Sequence, residues 1–163
     1  FAMMILFSLP QAALSRERPK MSLKPELKLE LNKVLKAGSD LHEACVARDE
    51  KKVNATVENV IKAINFAERK TGLADGEKPH LDRILNATKS RLEQVKRADG
   101  DDRKAALKEG FIQLVQIFQL YPADPSFSVF FCSKDKSVWL QKGKKAKNPI
   151  HPEIYETCGK LVQ

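Results

Sequence analysis

Between positions 25 and 121 the apolar residues recur with a helical period, and short polar breaks cut that stretch into four segments. In the first, Leu27, Leu31, Val34, Leu41 and Cys45 follow steps of three, four or seven, which places them on one face of a helix. Pro25 suits the first turn, where a missing N–H costs nothing, and Gly38 either weakens the helix or admits a close neighbour. Asp49 is a natural cap for a second helix with the stripe Val53, Val57, Val60, Ile64 and Ala67, stopped at Thr71-Gly72. A third opens at Pro79 and presents Leu81, Ile84, Leu85, Thr88, Leu92 and Val95. Asp99-Gly100-Asp101 breaks it and caps a fourth, which carries Leu107, Phe111, Leu114, Val115, Phe118 and Tyr121. Four amphipathic helices on short loops predict an all-α fold, an antiparallel four-helix bundle. Its apolar face is nearly free of ionisable groups and reads as packed core.

After Pro122 and Pro125 the period changes. Residues 127–131 and 137–141 are short, apolar and β-prone, separated by the polar turn Ser133 to Lys136, which predicts a small hairpin. Lys142 to Lys147 form a basic loop, and Pro149 and Pro152 keep the next stretch irregular or open a short helical turn. Cys158-Gly159 closes the unit. The expected organisation is one helical-bundle domain over 23–163, with a hairpin or irregular Cys-containing cap at 127–161. Upstream, residues 1–22 read as the apolar remnant of a signal peptide, with small residues near Gln11-Ala12-Ala13, followed by a polar linker around Pro19. The apolar run is too short to span a bilayer, so no transmembrane segment is expected.

Composition narrows the choice of function. The chain has 163 residues, 42% hydrophobic and 31% charged, which suits one soluble domain with a real core. The net charge of +8 invites a nucleic-acid partner. Lys and Arg are, however, mixed with Asp and Glu, and no basic run carries interleaved aromatics, so no nucleic acid is expected. A Gly-rich phosphate loop is missing. Cys132 or Cys158 with His151 makes a conceivable Cys–His pair, but no orienting carboxylate or oxyanion hole accompanies it, and the chain reads as a non-enzyme.

The chemistry-bearing residues gather near the C-terminus. Cys132 and Cys158 lie 26 positions apart in segments expected to fold back on each other. In an oxidising compartment they form a disulfide, which stabilises by roughly 3 kcal/mol on the chain-entropy model. As thiolates they would instead suit a soft cation such as copper, silver or zinc, with His151 as a third donor and His80 or His42 only if the fold brings them near. Both readings stay open on the residues alone. Cys45 sits in an apolar stripe and reads as a buried, inert thiol. Trp139 reads as the aromatic that packs the hairpin onto the helices, and Asn148-Pro149 as a structural element beside it.

Cys132, Trp139-Leu140, Asn148-Pro149 and Cys158-Gly159, behind a four-helix segment, resemble a bacterial exported domain of unknown function described as heavy-metal binding. That domain also occurs at the C-terminus of copper/silver efflux adaptors of the membrane-fusion type. The resemblance covers roughly residues 31–161 and is specific only in the last third. It implies a periplasmic or otherwise exported bacterial protein, and a metal ion or an envelope protein as partner. This chain departs from the family pattern at two thioether positions, with Ser133-Lys134 in place of Pro-Met and Tyr155 in place of Met. A lysine beside a bound cation is unfavourable. The expectation is therefore an exported, non-enzymatic binding module with a degenerate metal site, or a disulfide-stapled interaction domain with no metal.

Overall fold

The computed structural model describes residues 20–70, 76–121 and 123–162. The signal-peptide reading of residues 1–22 falls almost wholly outside them, as do the Thr71-Gly72 stop and Pro122. Four long helices occupy the four predicted segments: α1 (Pro25–Val46), α2 (Glu50–Glu68), α3 (Lys78–Arg97) and α4 (Gly100–Leu120). The predicted stripes are buried throughout, apart from the half-buried Phe118. Burial also reaches Leu35, Ser39, His42 and Ala44 on α1, so that helix is covered over a wider arc than its apolar spacing indicates.

Local signals account for some of the helix ends. Asp49 caps α2, its Oδ1 accepting from the Lys52 N–H at 3.0 Å, which satisfies one of the amides a helix start leaves open. Asp99 holds the corresponding position before α4 but makes no side-chain cap hydrogen bond, contrary to expectation. The backbone makes that turn instead. Gly100 takes φ +54°, and the Arg103 N–H reaches the Asp99 carbonyl at 3.3 Å.

α1 packs chiefly on α2 and α3 on α4, with further contact between α2 and α3 and between α1 and α4. Gly38 marks where α1 meets α4. A Cβ built there would lie 2.9 Å from Leu114 Cδ1, so the absent side chain sets the spacing of the two helices. Tyr121, buried at the end of α4, donates to Asn32 Oδ1 at 2.9 Å and ties α4 back to α1.

The C-terminal third forms a small antiparallel sheet with strand order β2-β1-β3, from β1 (Phe127–Phe131), β2 (Val138–Lys142) and β3 (Lys160–Leu161). The hairpin was expected; β3 was not. Two exposed residues carry no alternation to read, and Lys160 and Leu161 reach the sheet because the preceding segment is pinned across it. β2 lies against α1 and α4, so the sheet caps the helices. A one-turn helix, α5 (Pro152–Tyr155), lies in the segment that returns from β2 to β3.

Gly38→Val should destabilise the protein by about 1–3 kcal/mol through overpacking at Leu114. Gly38→Ala, to which a leucine methyl can yield, should cost less. Urea unfolding decides: an unchanged midpoint for the valine variant means that α1 and α4 separate freely and the close approach sets nothing.

Candidate functional site

Cys132 follows β1 directly, and its N–H donates to the Ser137 carbonyl at 2.9 Å, closing the turn between β1 and β2. Cys158 follows α5, with its N–H on the Tyr155 carbonyl at 2.8 Å. The structure joins the two sulfurs in a disulfide, with Cα atoms 5.3 Å apart. Cys132 is fully buried, whereas Cys158 is half-buried. The bond therefore ties the inner strand of the sheet to the outer return segment.

That return segment lies on Trp139. The indole is buried, stacks on its cross-strand partner Phe130 (centroids 5.9 Å apart, planes 19°), and meets Gly159 on another side. A Cβ at Gly159 would stand 2.9 Å from Trp139 Cη2 and 2.7 Å from Ala146 Cβ. Neither neighbour is the free end of a flexible chain. The Cys-Gly pair thus has a packing reason: the cysteine fixes the segment, and the glycine lets its backbone come up against the ring. These contacts on Trp139 lie within the cap, beyond the role of joining hairpin to helices that the sequence suggested.

Beside the indole sits Gln141, also buried. Its Oε1 accepts from Trp139 Nε1 (2.8 Å) and from the Lys147 N–H (3.0 Å), and its Nε2 donates to the Lys145 carbonyl (2.7 Å). One side chain thereby satisfies the indole and holds both ends of the Lys145–Lys147 turn. His42 of α1 contacts the same loop, with Nε2 2.7 Å from the Lys147 carbonyl, and burial pulls its pKa below the ordinary histidine value.

A second polar knot centres on Asp135. Its Oδ1 accepts from the Ser137 N–H and hydroxyl (2.9 and 2.6 Å), and its Oδ2 accepts from Asn148 Nδ2 (2.9 Å). Asn148 is fully buried; its Oδ1 accepts from the Ile150 and His151 N–H groups, and its own N–H reaches the Glu156 carbonyl. Pro149 is buried next to it. Lys108 of α4 donates to the Asp135 carbonyl at 2.7 Å, which links the knot to the helices. Every buried side-chain N or O among the described residues has a partner, as a rigid polar interior requires.

The metal reading asks for Cys132, Cys158 and His151 as free donors, and the arrangement does not fit it. Both sulfurs are spent on each other, and His151 Nδ1 lies 3.4 Å from the Lys104 ammonium and 3.5 Å from Glu153. Of the other histidines, His42 holds the Lys147 carbonyl and His80 pairs with Arg83 on α3. No group of three or more His, Cys, Asp or Glu side chains placed for a metal occurs among the described residues. Cys45 is a free, buried thiol whose pKa burial pushes up to about 12, so it is protonated and unreactive at neutral pH. No described helix is long and apolar enough to cross a membrane.

A comparison of the chain with family models, curated proteins and solved structures finds no match. The resemblance of the C-terminal segment stands on its motif residues alone.

Two substitutions probe the cap. Gly159→Ala should cost about 1–3 kcal/mol by forcing the segment off Trp139. A variant of parental stability, measured by urea unfolding, would show that the close contact is not a constraint. Asp135 supplies the pH dependence. Burial pushes its carboxyl up, but the hydrogen bonds from Ser137 and Asn148 outweigh it and hold the group below its ordinary value. Such a group stabilises fully above its unfolded pKa, about 4, and the contribution is lost as pH falls through the lower folded value. Asp135→Asn should therefore be less stable at pH 7 and lose less between pH 4 and 2. Glu153, drawn down to about 2 by its hydrogen bond from Lys104, leaves part of the acid limb in place. Parallel acid limbs for variant and parent would refute the role of Asp135.

Proposed function

We propose that this chain is an exported, non-enzymatic interaction domain: an antiparallel four-helix bundle carrying a disulfide-stapled cap that presents a fixed surface to an envelope protein. The observation that carries this reading is the Cys132–Cys158 bond, which pins the return segment on Trp139. Short turns between α1 and α2 and between α3 and α4 support the antiparallel arrangement, since helices so joined must run back along each other. The disulfide supports an oxidising compartment, and with it export. The two satisfied polar knots support a surface of fixed shape, because each buried group restricts the backbone it bonds.

One observation favours a second reading in reducing conditions. With Cα atoms 5.3 Å apart, the two reduced cysteines would present neighbouring thiolates suited to copper, silver or zinc. The thioether positions that the resembling family fills with methionine are Lys134 and Tyr155 here, which weighs against it.

Thiol counting on the purified, unfolded protein, before and after reduction, with metal analysis of the same sample, separates the two. The expected result is one thiol, from Cys45, rising to three on reduction, with no stoichiometric metal. Three thiols with bound copper or zinc before reduction would overturn the stapled-domain reading.

A further inference from the structure

The loop between β2 and Asn148 is unlike the rest of the surface in its charge. From Lys136 to Pro152 the sequence carries five lysines and no acid, more than half of the net +8. Several helix lysines find carboxylates, Lys33 with Glu30, Lys36 with Asp40, Lys89 with Glu68 and Lys104 with Glu153, while Lys28, Lys51, Lys52 and Lys62 stand exposed but well apart along the chain or beside acids in sequence. Lys144, Lys145 and Lys147 are exposed and make no ion pair with a described residue. Lys142 stands over the Phe127 ring, 5.5 Å from its centroid, with Asp124 near enough to feel its charge. Like charges this dense repel, so a loop left to itself would spread them apart.

This loop is held. Gly143 takes φ +88°, a left-handed turn that favours glycine, and its N–H faces the Ser126 carbonyl. Gln141, buried, donates to the Lys145 carbonyl and accepts from the Lys147 N–H, and His42 takes the Lys147 carbonyl from the helix side. Ala146, between the lysines, packs under Gly159. Asn148 fixes the exit through Asp135. A buried glutamine, a buried histidine and the disulfide segment thus converge on the backbone of an unpaired cationic turn.

We propose that Lys142–Lys147 is a preorganised docking surface for an acidic segment of a partner protein. This rests on the interaction-domain reading and names its surface and the chemistry of its partner. A turn whose backbone is already ordered holds its lysines near the bound arrangement, so less ordering cost remains when an acidic segment docks. A fluid lipid surface adapts to any array, and lysines without an apolar wedge give only weak attachment; this loop offers no exposed apolar side chain to insert. Single-stranded nucleic acid would use stacking aromatics, and Phe127 and Trp139 are buried; a duplex asks for a longer run of phosphate contacts than the four lysines of this short turn present. An acidic protein segment remains.

The test is an NMR titration of the disulfide-intact full chain with a short oligoglutamate peptide at low salt, against anionic phosphatidylserine vesicles and duplex DNA in parallel. Amide shifts should centre on 142–147, and binding should weaken with salt. Lys144→Ala/Lys145→Ala, on exposed positions that leave the fold alone, should weaken binding at least about tenfold. Gln141→Ala keeps every charge and should weaken it about threefold or more by loosening the turn. If that variant unfolds the cap, the lysine pair alone decides. Shifts elsewhere, or parental affinity in the double variant, would overturn the docking site. Parental affinity in a folded Gln141→Ala would overturn preorganisation. Tighter binding to vesicles or DNA than to the peptide would overturn the acidic-protein partner. Metal on the thiols would sink the interaction-domain reading without changing any of these results.

Discussion

The contact between Gly159 and the Trp139 ring is the constraint on which the cap depends. It exists only if three conditions hold together: no side chain at 159, an indole buried beneath it, and a covalent tie that keeps the segment from lifting. Position 158 supplies the tie from the adjoining residue. Without it, a segment whose strand is two exposed residues long would have little to hold it, since so short a pairing buries almost no apolar area. With it, Val162 still reaches the Val129 carbonyl at 2.9 Å, and the sheet gains its third strand. The disulfide acts here on local geometry as well as on the entropy of the unfolded chain.

The helices and the cap are stabilised in different ways. α1 to α4 bury long apolar stripes, an interaction that is non-directional and tolerates small shifts as long as volume is conserved. The cap joins the same core through Phe127, Val129, Phe130, Trp139, Leu140 and Ile150, and adds directional bonds to it. It buries Gln141, Asn148 and Ser137, with Asp135 half-buried beside them, and each must find partners at fixed angles or be costly to bury. Directional bonds leave fewer alternative arrangements than apolar contacts do. A network of satisfied polar groups is therefore a reasonable means of giving a small unit one shape, and Lys108 and His42 transfer that shape to the helices.

How much of this was legible in the sequence follows the same division. Period 3.6 reports which side of a helix is buried, and it located the stripes of all four helices because apolar burial is a one-residue property. The hairpin was legible for a similar reason: short runs of β-branched and aromatic residues on either side of a polar turn mark strands, even though neither strand alternates in burial. Asp135 looked like an ordinary turn residue, since nothing at positions 133–136 indicates that Asn148 will meet it thirteen residues later. Gln141 looked like the end of a strand. His42 was considered only as a distant metal donor, when its buried place on α1 and its bond to Lys147 serve the loop. Cys132 and Cys158 were paired correctly as one of two options, but spacing cannot separate a disulfide from two thiolates; proximity of the sulfurs does. Partners across the fold are pair properties, and a single sequence does not display them.

The absence of the two methionines fits this account. A soft-metal site needs donors that are free and a neighbourhood that tolerates added positive charge. Here Lys134 occupies one thioether position, Lys104 sits beside His151, and the adjoining loop is lysine-rich. Each feature raises the local positive potential, which disfavours a cation and favours an anion. The residues that carry the resemblance are also the ones that shape the cap: two cysteines, a tryptophan, Asn-Pro and a glycine. A scaffold can keep its shape while its surface charge changes sign of preference, because the knots beneath bond to backbone and leave the exposed side chains free to vary. In this chain the cap geometry and the positive surface are thus compatible, because the bonds that hold the cap are made by buried groups and by backbone.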